Sequence, residues 1–149
     1  MSIEIKKCAV LGAGVMGAQI AGHIANAGIP SLLFDVNNDL AKKGIEGLTK
    51  LKPAPLFSSK NTSLITSCTY DNDLEKLKDC DLIIEAVAEK IEIKHTVYKN
   101  LLPHLKENAI LASNTSGIPL ANLVEVLPDE VQSRFCLLYT SDAADDGLC

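Results

Sequence analysis

Short apolar segments alternate along the chain with stretches that have the spacing of amphipathic helices. The apolar segments are CAVLG, SLLFD, SLITS, DLIIEAV, AILAS and the start of SRFCLL. This alternation predicts an α/β fold in which helices connect the strands of a parallel sheet. Leu82, Ile83 and Ile84 form a continuous apolar run, which is typical of a strand covered on both faces. We therefore expect a doubly wound parallel sheet.

The first predicted helix, from about Val15 to Ala27, carries small residues along one side. These residues recur every third or fourth position and are Gly17, Ala21, Ala25 and Gly28. Small side chains at this spacing allow a helix to lie close to a sheet. His23 belongs to a polar stripe on another side, so we expect it to be a solvated surface residue.

Composition and charge narrow the range of possible partners. The chain has 149 residues, of which 47% are hydrophobic and 22% charged, as in an ordinary globular domain. The formal net charge is −5 and the basic residues are scattered, so we expect no nucleic-acid partner. No run reaches the roughly 18 apolar residues that cross a bilayer, and the N-terminus lacks a signal-peptide layout. A cytoplasmic protein without a membrane segment is expected.

The cysteines show no pattern typical of a disulfide framework or a zinc site. There are five, without a CxxC pair, and most lie in or beside apolar runs: Cys8, Cys68, Cys80, Cys136 and Cys149. Free cysteine in such a setting behaves as a small hydrophobic residue. We predict reduced, mostly buried thiols and no metal site.

A glycine-rich turn follows the first predicted strand. LGAGVMGAQIA contains GxGxxG at Gly12, Gly14 and Gly17, and a helix follows it. In a dinucleotide-binding unit the first glycine permits the tight turn, the second leaves room for a pyrophosphate and the third allows close helix packing. The helix N-terminus then presents free N–H groups to the phosphates. The spacing alone is a weak signal, but its context between strand and helix strengthens it.

Asp35 ends the second predicted strand, 23 residues after Gly12. A carboxylate at this position can accept hydrogen bonds from both ribose hydroxyls and repels a 2′-phosphate. We therefore expect NAD as the cofactor rather than NADP. The alternative is that Asp35 only caps the next helix.

Two further strand ends carry polar residues, and ligands of such sheets bind beyond the carboxyl ends of the strands. Glu85 and Glu89 follow the fourth predicted strand, and Lys94 lies on an otherwise apolar helix stripe. From spacing alone, Lys94 could either contact a ligand or extend its stem along the helix surface. After the next strand come four short polar residues, Ser113 to Ser116, of which a helix N-cap explains only one. A polar ligand site explains the group better.

Together these motifs resemble a known family. VLGAGVMGAQIAGHIANAGI, FDV, DLIIEAVAEKIEIK and SNTSGIPL, in this order, are similar to the NAD-binding domain of the L-3-hydroxyacyl-CoA dehydrogenases of fatty-acid β-oxidation. The likeness is greatest to the long bacterial fusions with enoyl-CoA hydratase, which also tend to have a KPAPL-like stretch. Here that stretch is Lys52 to Leu56, in a predicted loop between Leu51 and Ser63.

The resemblance implies a role for each matching residue. The turn from Gly12 to Gly17, including Met16, would hold the pyrophosphate, and Asp35 the adenosine ribose. The nicotinamide half of the site would be lined by Val87, Ala88, Glu89 and Lys94. Asn114 and Ser116 would lie where nicotinamide meets substrate. There the Ser116 hydroxyl would bond the reacting oxygen of the 3-hydroxyacyl group, a catalytic but not a nucleophilic role.

In the family, a histidine takes the hydroxyl proton while hydride passes from C3 to the nicotinamide, and a glutamate orients that histidine. The family motif RFxGxHFFNP places the histidine four residues after the phenylalanine. Here the fourth residue after Phe135 is Tyr139, and HFFNP is absent. His23, His95 and His104 lie on predicted helix surfaces or ends, so they are not expected to replace the base.

We therefore expect residues 1–138 to be an NAD-binding Rossmann domain and 139–149 to be a non-family, disordered tail. The family's helical C-terminal domain, which closes over acyl-CoA and forms the dimer, is expected to be absent. Such a fragment would bind NAD but would not turn over. A stand-alone NAD-binding module is the alternative. A related hydroxyacid or sugar-nucleotide dehydrogenase is less compatible with IEAVAE followed by SNTS.

Overall fold

The computed structural model describes residues 4–50 and 59–138. Its strands are β1 (Cys8–Leu11), β2 (Ser31–Asp35), β3 (Ile65–Thr69), β4 (Leu82–Glu85), β5 (Ile110–Ser113) and β6 (Phe135–Leu137). They form one parallel sheet in the order β3-β2-β1-β4-β5-β6. The chain thus reverses its direction of travel across the sheet between β1 and β4. This confirms the predicted doubly wound α/β fold.

Helices connect the strands. The α-helices are α1 (Val15–Asn26), α2 (Asn38–Gly47), α3 (Tyr70–Asp73), α4 (Ile91–Leu101), α5 (Leu120–Leu123) and α6 (Asp129–Gln132). The 3₁₀ helices are Ser59–Leu64, Leu74–Asp79, Leu102–His104 and Val124–Val126. No helix in the described part of the chain is both long and apolar enough to cross a membrane.

The segment before β3 differs from the prediction. A loop was expected up to Ser63 and a strand from that residue, but residues 59–64 form a 3₁₀ helix and β3 begins at Ile65. The Ser63 hydroxyl donates to the carbonyl of Lys60 at 2.9 Å, which holds this helical turn. The predicted loop over Lys52 to Leu56, and the predicted tail from Tyr139, lie outside the described residues.

The core lies on both faces of the sheet, because successive strand residues point to opposite sides. Ala9 and Leu11 pack with Phe34 and Tyr98 on one face. Val10 packs on the other face with the small side of α1 and with α2. Gly17, Ala21 and Ala25 of α1 are buried and His23 is exposed, which confirms the predictions for these residues. Gly28 lies after the end of α1 and is exposed, so its predicted place on the packed side was wrong.

The strand register brings the carboxyl ends of the central strands to one edge. Leu11 pairs with Phe34 on one side and with Glu85 on the other, and Glu85 pairs with Ser113. At the opposite edge, Asp81 accepts hydrogen bonds from the backbone N–H groups of Lys6 and Lys7. Polar groups that follow β1, β2, β4 and β5 therefore meet at the same edge.

Candidate dinucleotide site

The glycine turn between β1 and α1 is shaped by close backbone contacts. Gly12 has a φ of +104°, and a Cβ there would lie 2.5 Å from the carbonyl oxygen of Ala86. A Cβ on Gly17 would lie 1.8 Å from the carbonyl oxygen of Gly12. A Cβ on Gly14, in contrast, would have no neighbour within 4 Å. Two of the glycines are thus required by the fold, whereas the space beside Gly14 is open.

The N-terminus of α1 opens into this space. Its N-cap residue is Gly14, so no side chain caps the helix, and its first turn contains no acidic residue. The first N–H groups of a helix have no partner within the helix and lie at the positive end of its dipole. The turn is therefore suited to an anionic group such as a pyrophosphate.

Asp35 extends from the end of β2 toward the same turn. Its Oδ2 accepts a hydrogen bond from the backbone N–H of Ala13 at 2.8 Å. Its Oδ1 accepts from the N–H of Val36 at 2.7 Å. The N-cap of α2 is Asn37, whose side chain accepts from Leu40 N–H at 2.9 Å. The alternative that Asp35 caps α2 is therefore wrong.

A cavity of about 790 Å³ lies beyond the ends of β1, β2 and β4. Its lining includes predicted site residues, which are Gly12, Gly14, Met16, Gly17, Asp35, Val87 and Ala88. Its apolar rim is unusually exposed, because Val15 is 70% exposed, Val36 64% and Met16 56%. A cavity lined by Asp35, Glu92, a helix N-terminus and apolar walls fits a nucleotide with flat, apolar rings.

Three residues that were not predicted from the sequence also line this cavity. Tyr70, at the start of α3, lines it, and so do Ile93 and Val97 on the outer side of α4. The Tyr70 ring stacks on Phe34 with a centroid separation of 5.9 Å. In the sequence, Ile93 and Val97 are apolar residues four positions apart that lie outside the stripe of Lys94, Tyr98 and Leu101, and this spacing was the available signal.

Glu89 organises the loop that follows β5. Its carboxylate accepts hydrogen bonds from the Thr115 hydroxyl at 2.5 Å, the Ser116 N–H at 2.9 Å and the Gly117 N–H at 3.3 Å. Burial alone raises the pKa of Glu89, but the bonds from Thr115 and Ser116 outweigh it and lower the pKa to about 2. Glu89 is therefore ionised near neutral pH and holds the loop in place.

Lys94 is buried, with 1% of its surface exposed, and does not extend along the helix surface. Its Nζ lies 2.6 Å from Glu85 Oε2 and 3.4 Å from Glu89 Oε1. It also donates to the carbonyl of Val87 at 3.4 Å. Of the two interpretations of Lys94, the extended surface lysine is wrong; a contact with a ligand remains a prediction.

The predicted residues thus fall into two neighbouring groups. Seven line the cavity. Of the other four, Glu89 follows β4, Asn114 and Ser116 follow β5, and Lys94 belongs to α4. The Ser116 side chain is exposed, and its hydroxyl lies 3.4 Å from Glu89 Oε2. None of the short polar residues after β5 caps α5 through its side chain, because the N-cap there is Pro119. The N-cap interpretation of this cluster is therefore wrong.

None of the three histidines is among the residues that line the cavity. His23 is exposed on α1, and His95 Nε2 lies 2.7 Å from the backbone carbonyl oxygen of Asn122. His104 ends a 3₁₀ helix. Among residues 4–50 and 59–138, no group of three or more His, Cys, Asp or Glu side chains is placed to hold a metal ion.

The sheet order, the uncapped glycine turn and Asp35 at the next strand end define a dinucleotide-binding domain of the Rossmann class. Residues 7–139 match the model of the family described as "3-hydroxyacyl-CoA dehydrogenase, NAD binding domain". The chain belongs to this family and is its NAD-binding domain.

Relatives and solved structures agree with this assignment. A Rickettsia felis protein, provisionally named a fatty acid oxidation complex trifunctional enzyme, is 45% identical over 93% of the chain and 20% of its own length. A Deinococcus radiodurans protein, provisionally named a 3-hydroxyacyl-CoA dehydrogenase, is 43% identical over 89% of the chain and 40% of its own length. The structure of (S)-3-hydroxybutyryl-CoA dehydrogenase PaaH1 from Ralstonia eutropha superposes with a TM-score of 0.78 at 26% identity, covering 94% of this chain and 50% of that one.

The chain therefore spans only a fifth to two fifths of the length of these two relatives.

Proposed function

We propose that NAD lies in the cavity with its pyrophosphate at the turn from Gly12 to Gly17 and its adenosine ribose on Asp35. The open space beside Gly14 and the uncapped N-terminus of α1 support this placement. Val87 and Ala88 then face the nicotinamide half. The observation that carries the proposal is the Asp35 carboxylate fixed against the glycine turn at the cavity wall, in a domain of an NAD-binding family.

We further propose that a protein containing this domain oxidises L-3-hydroxyacyl-CoA to 3-ketoacyl-CoA. Bound NAD supplies the acceptor for the hydride that leaves C3. Ser116 is an exposed residue whose N–H and hydroxyl both donate to Glu89, and in this proposal its hydroxyl hydrogen-bonds the reacting oxygen. Asn114, the neighbouring residue, lies at the junction of nicotinamide and substrate.

We also infer that this chain by itself binds NAD but does not catalyse the oxidation of L-3-hydroxyacyl-CoA. The family's proton-accepting histidine corresponds to Tyr139, and none of the three histidines lines the cavity. A stand-alone NAD-binding module is the second candidate function. Tyr139 in place of the histidine favours this second function for the chain by itself.

A calorimetric titration of the chain with NADH, together with an acetoacetyl-CoA reduction assay on the same sample, tests these proposals. We expect binding without turnover. Turnover would contradict the inference that the base is lacking, and a folded chain that does not bind NADH would contradict the proposed site. Asp39→Asn provides a control, because Asp39 is exposed in the first turn of α2.

A chimera tests the substrate-side role. A family sequence containing HFFNP and the remainder of a dehydrogenase is joined after Phe135, and we expect it to restore acetoacetyl-CoA reduction. Ser116→Ala in this chimera should then reduce turnover while the affinity for NADH changes little. Unchanged turnover would show that Ser116 does not contact the reacting oxygen.

A further inference from the structure

A buried carboxylate outside the cavity lining connects the elements that carry the nicotinamide end of the proposed site. Glu85 ends β4 and is 0% exposed. Its Oε1 accepts hydrogen bonds from the Tyr98 and Ser113 hydroxyls, both at 2.7 Å. Its Oε2 accepts from Lys94 Nζ at 2.6 Å and from the Val87 N–H at 3.0 Å. Four donors thus occupy the four acceptor positions of this carboxylate.

The donors to Glu85 come from three parts of the chain beside the proposed nicotinamide end. Val87 belongs to the segment after β4 that lines the cavity, Tyr98 and Lys94 belong to α4, and Ser113 ends β5. Lys94 also connects Glu85 to Glu89, because its Nζ lies 3.4 Å from Glu89 Oε1. Glu89 in turn holds the N–H groups of Ser116 and Gly117.

The three acceptors of Lys94 are Glu85, Glu89 and the Val87 carbonyl, which is the number that an ammonium group can serve. Its buried charge is therefore divided between a fully buried carboxylate and a partly exposed one. If Glu85 were neutral, the ammonium would lose its shortest ion pair and the Val87 N–H would lose a charged acceptor. Buried charges that lose a partner force their surroundings to rearrange.

We propose that Glu85 is a positioning residue that sets the nicotinamide end of the site through Lys94 and Val87, without touching the cofactor. The inference rests on the proposed placement of the nicotinamide. The proposal divides the site into two halves. The glycine turn and Asp35 hold the ADP part independently of Glu85, whereas the nicotinamide part depends on the hydrogen bonds that the Glu85 carboxylate accepts. A merely structural role for Glu85 would affect both halves equally.

The test compares two ligands on the full chain: NADH, followed by its nicotinamide fluorescence, and ADP-ribose, which lacks the nicotinamide, followed by calorimetry. The native chain should bind NADH more tightly than ADP-ribose. Glu85→Gln should weaken NADH binding about tenfold and leave ADP-ribose binding within about twofold, because a single charged contact network is lost. Asp81→Asn is the matched control, because Asp81 is an ion-paired acid at the other end of β4; it should change neither affinity.

Equal losses for both ligands, or no loss for either, would overturn the inference, and so would a native chain that binds the two ligands equally. A native chain that binds neither ligand would overturn the proposed function itself. If Glu85→Gln alone does not fold, Tyr98→Phe decides, because it removes a hydroxyl donor to Glu85 while Lys94, itself a predicted site residue, stays in place. The same selective loss of NADH is expected from it, and native-like NADH affinity in this variant would refute the role.

Discussion

The Oδ2 atom of Asp35 accepts a hydrogen bond of 2.8 Å from the backbone N–H of Ala13, 22 residues earlier in the chain. The end of β2 therefore fixes the middle of the glycine turn that follows β1. The same carboxylate lies at the wall of the cavity. One side chain thus supports the shape of the turn and presents its charge to whatever occupies the site.

Asp35→Ala is expected to weaken NADH binding about tenfold to a hundredfold, because hydrogen bonds to a charged acceptor contribute about 1.5–3 kcal/mol. The preference for NADH over NADPH should shrink, because the repulsion of a 2′-phosphate is also removed. Titration with each cofactor measures both effects. Asp39→Ala serves as the control on the exposed side of α2, and an unchanged NADH affinity in Asp35→Ala would contradict the ribose assignment.

The glycine turn allows a paired prediction, because Gly17 and Gly14 differ in what surrounds them. A Cβ on Gly17 would lie 1.8 Å from the Gly12 carbonyl oxygen, so Gly17→Ala should lower the free energy of unfolding by about 3 kcal/mol or more. Gly14→Ala meets no atom within 4 Å and should change it by no more than about 0.5 kcal/mol. Denaturant unfolding of both variants measures this difference.

The Gly14→Ala variant also shows whether a change at the turn affects NADH binding without affecting stability. Gly14→Ala should nevertheless weaken NADH binding, because its methyl group occupies the space that we assign to the pyrophosphate. A Gly14→Ala variant with native stability and native NADH affinity would place the pyrophosphate elsewhere.

Three buried thiols should be unreactive in the folded chain. Burial, which is the largest cause for each, raises the pKa of Cys8 and Cys68 to about 11 and that of Cys80 to about 12. At pH 8 only roughly a thousandth of a thiol with a pKa of 11 is thiolate, against about a tenth at the ordinary value. Iodoacetamide followed by peptide mapping should modify these positions in denaturant but not in buffer. Modification in buffer at the denatured rate would show that they are accessible.

The sequence was sufficient to predict features that depend on neighbouring residues along the chain or on the regular geometry of a parallel sheet. The close contact of Gly17 with Gly12 lies within one turn, so its spacing is a local requirement of the strand-turn-helix unit. Asp35 was predictable because the end of β2 must lie beside the end of β1 in a parallel sheet. The apolar run over β4 likewise predicted burial on both faces.

Contacts between separate elements could not be predicted from spacing. Spacing left two interpretations of Lys94 open, because the partner that buries it, Glu85, lies on another element at a distance that only packing defines. Ser113 and Thr115 are bound by carboxylates that extend from β4 and from the segment after it. Tyr70 was missed because the 3₁₀ helix over residues 59–64 shifts β3 along the chain and brings the residue after it to the cavity.

Glu89 should make the stability of the chain dependent on acid pH. Its pKa is lowered from 4.5 to about 2 in the folded chain, so its ionised form contributes stability that is fully present above about pH 4.5. That contribution is lost as the pH falls from 4.5 through about 2. Glu89→Gln should therefore cost about 1 kcal/mol at pH 7, a modest figure because solvent screens a side chain that is 42% exposed.

Denaturant unfolding of the native chain and Glu89→Gln at several pH values between 7 and 3 measures this contribution directly. The difference between them should be constant down to about pH 5 and then shrink toward pH 3. Asp73 and Asp81 also have lowered pKa values, but they are present in both chains and cancel in the difference. The exposed Glu125 gives a matched control, and Glu125→Gln should leave stability unchanged. A Glu89→Gln difference that stays constant down to pH 3 would mean that the carboxylate does not hold the loop through Thr115 and Ser116.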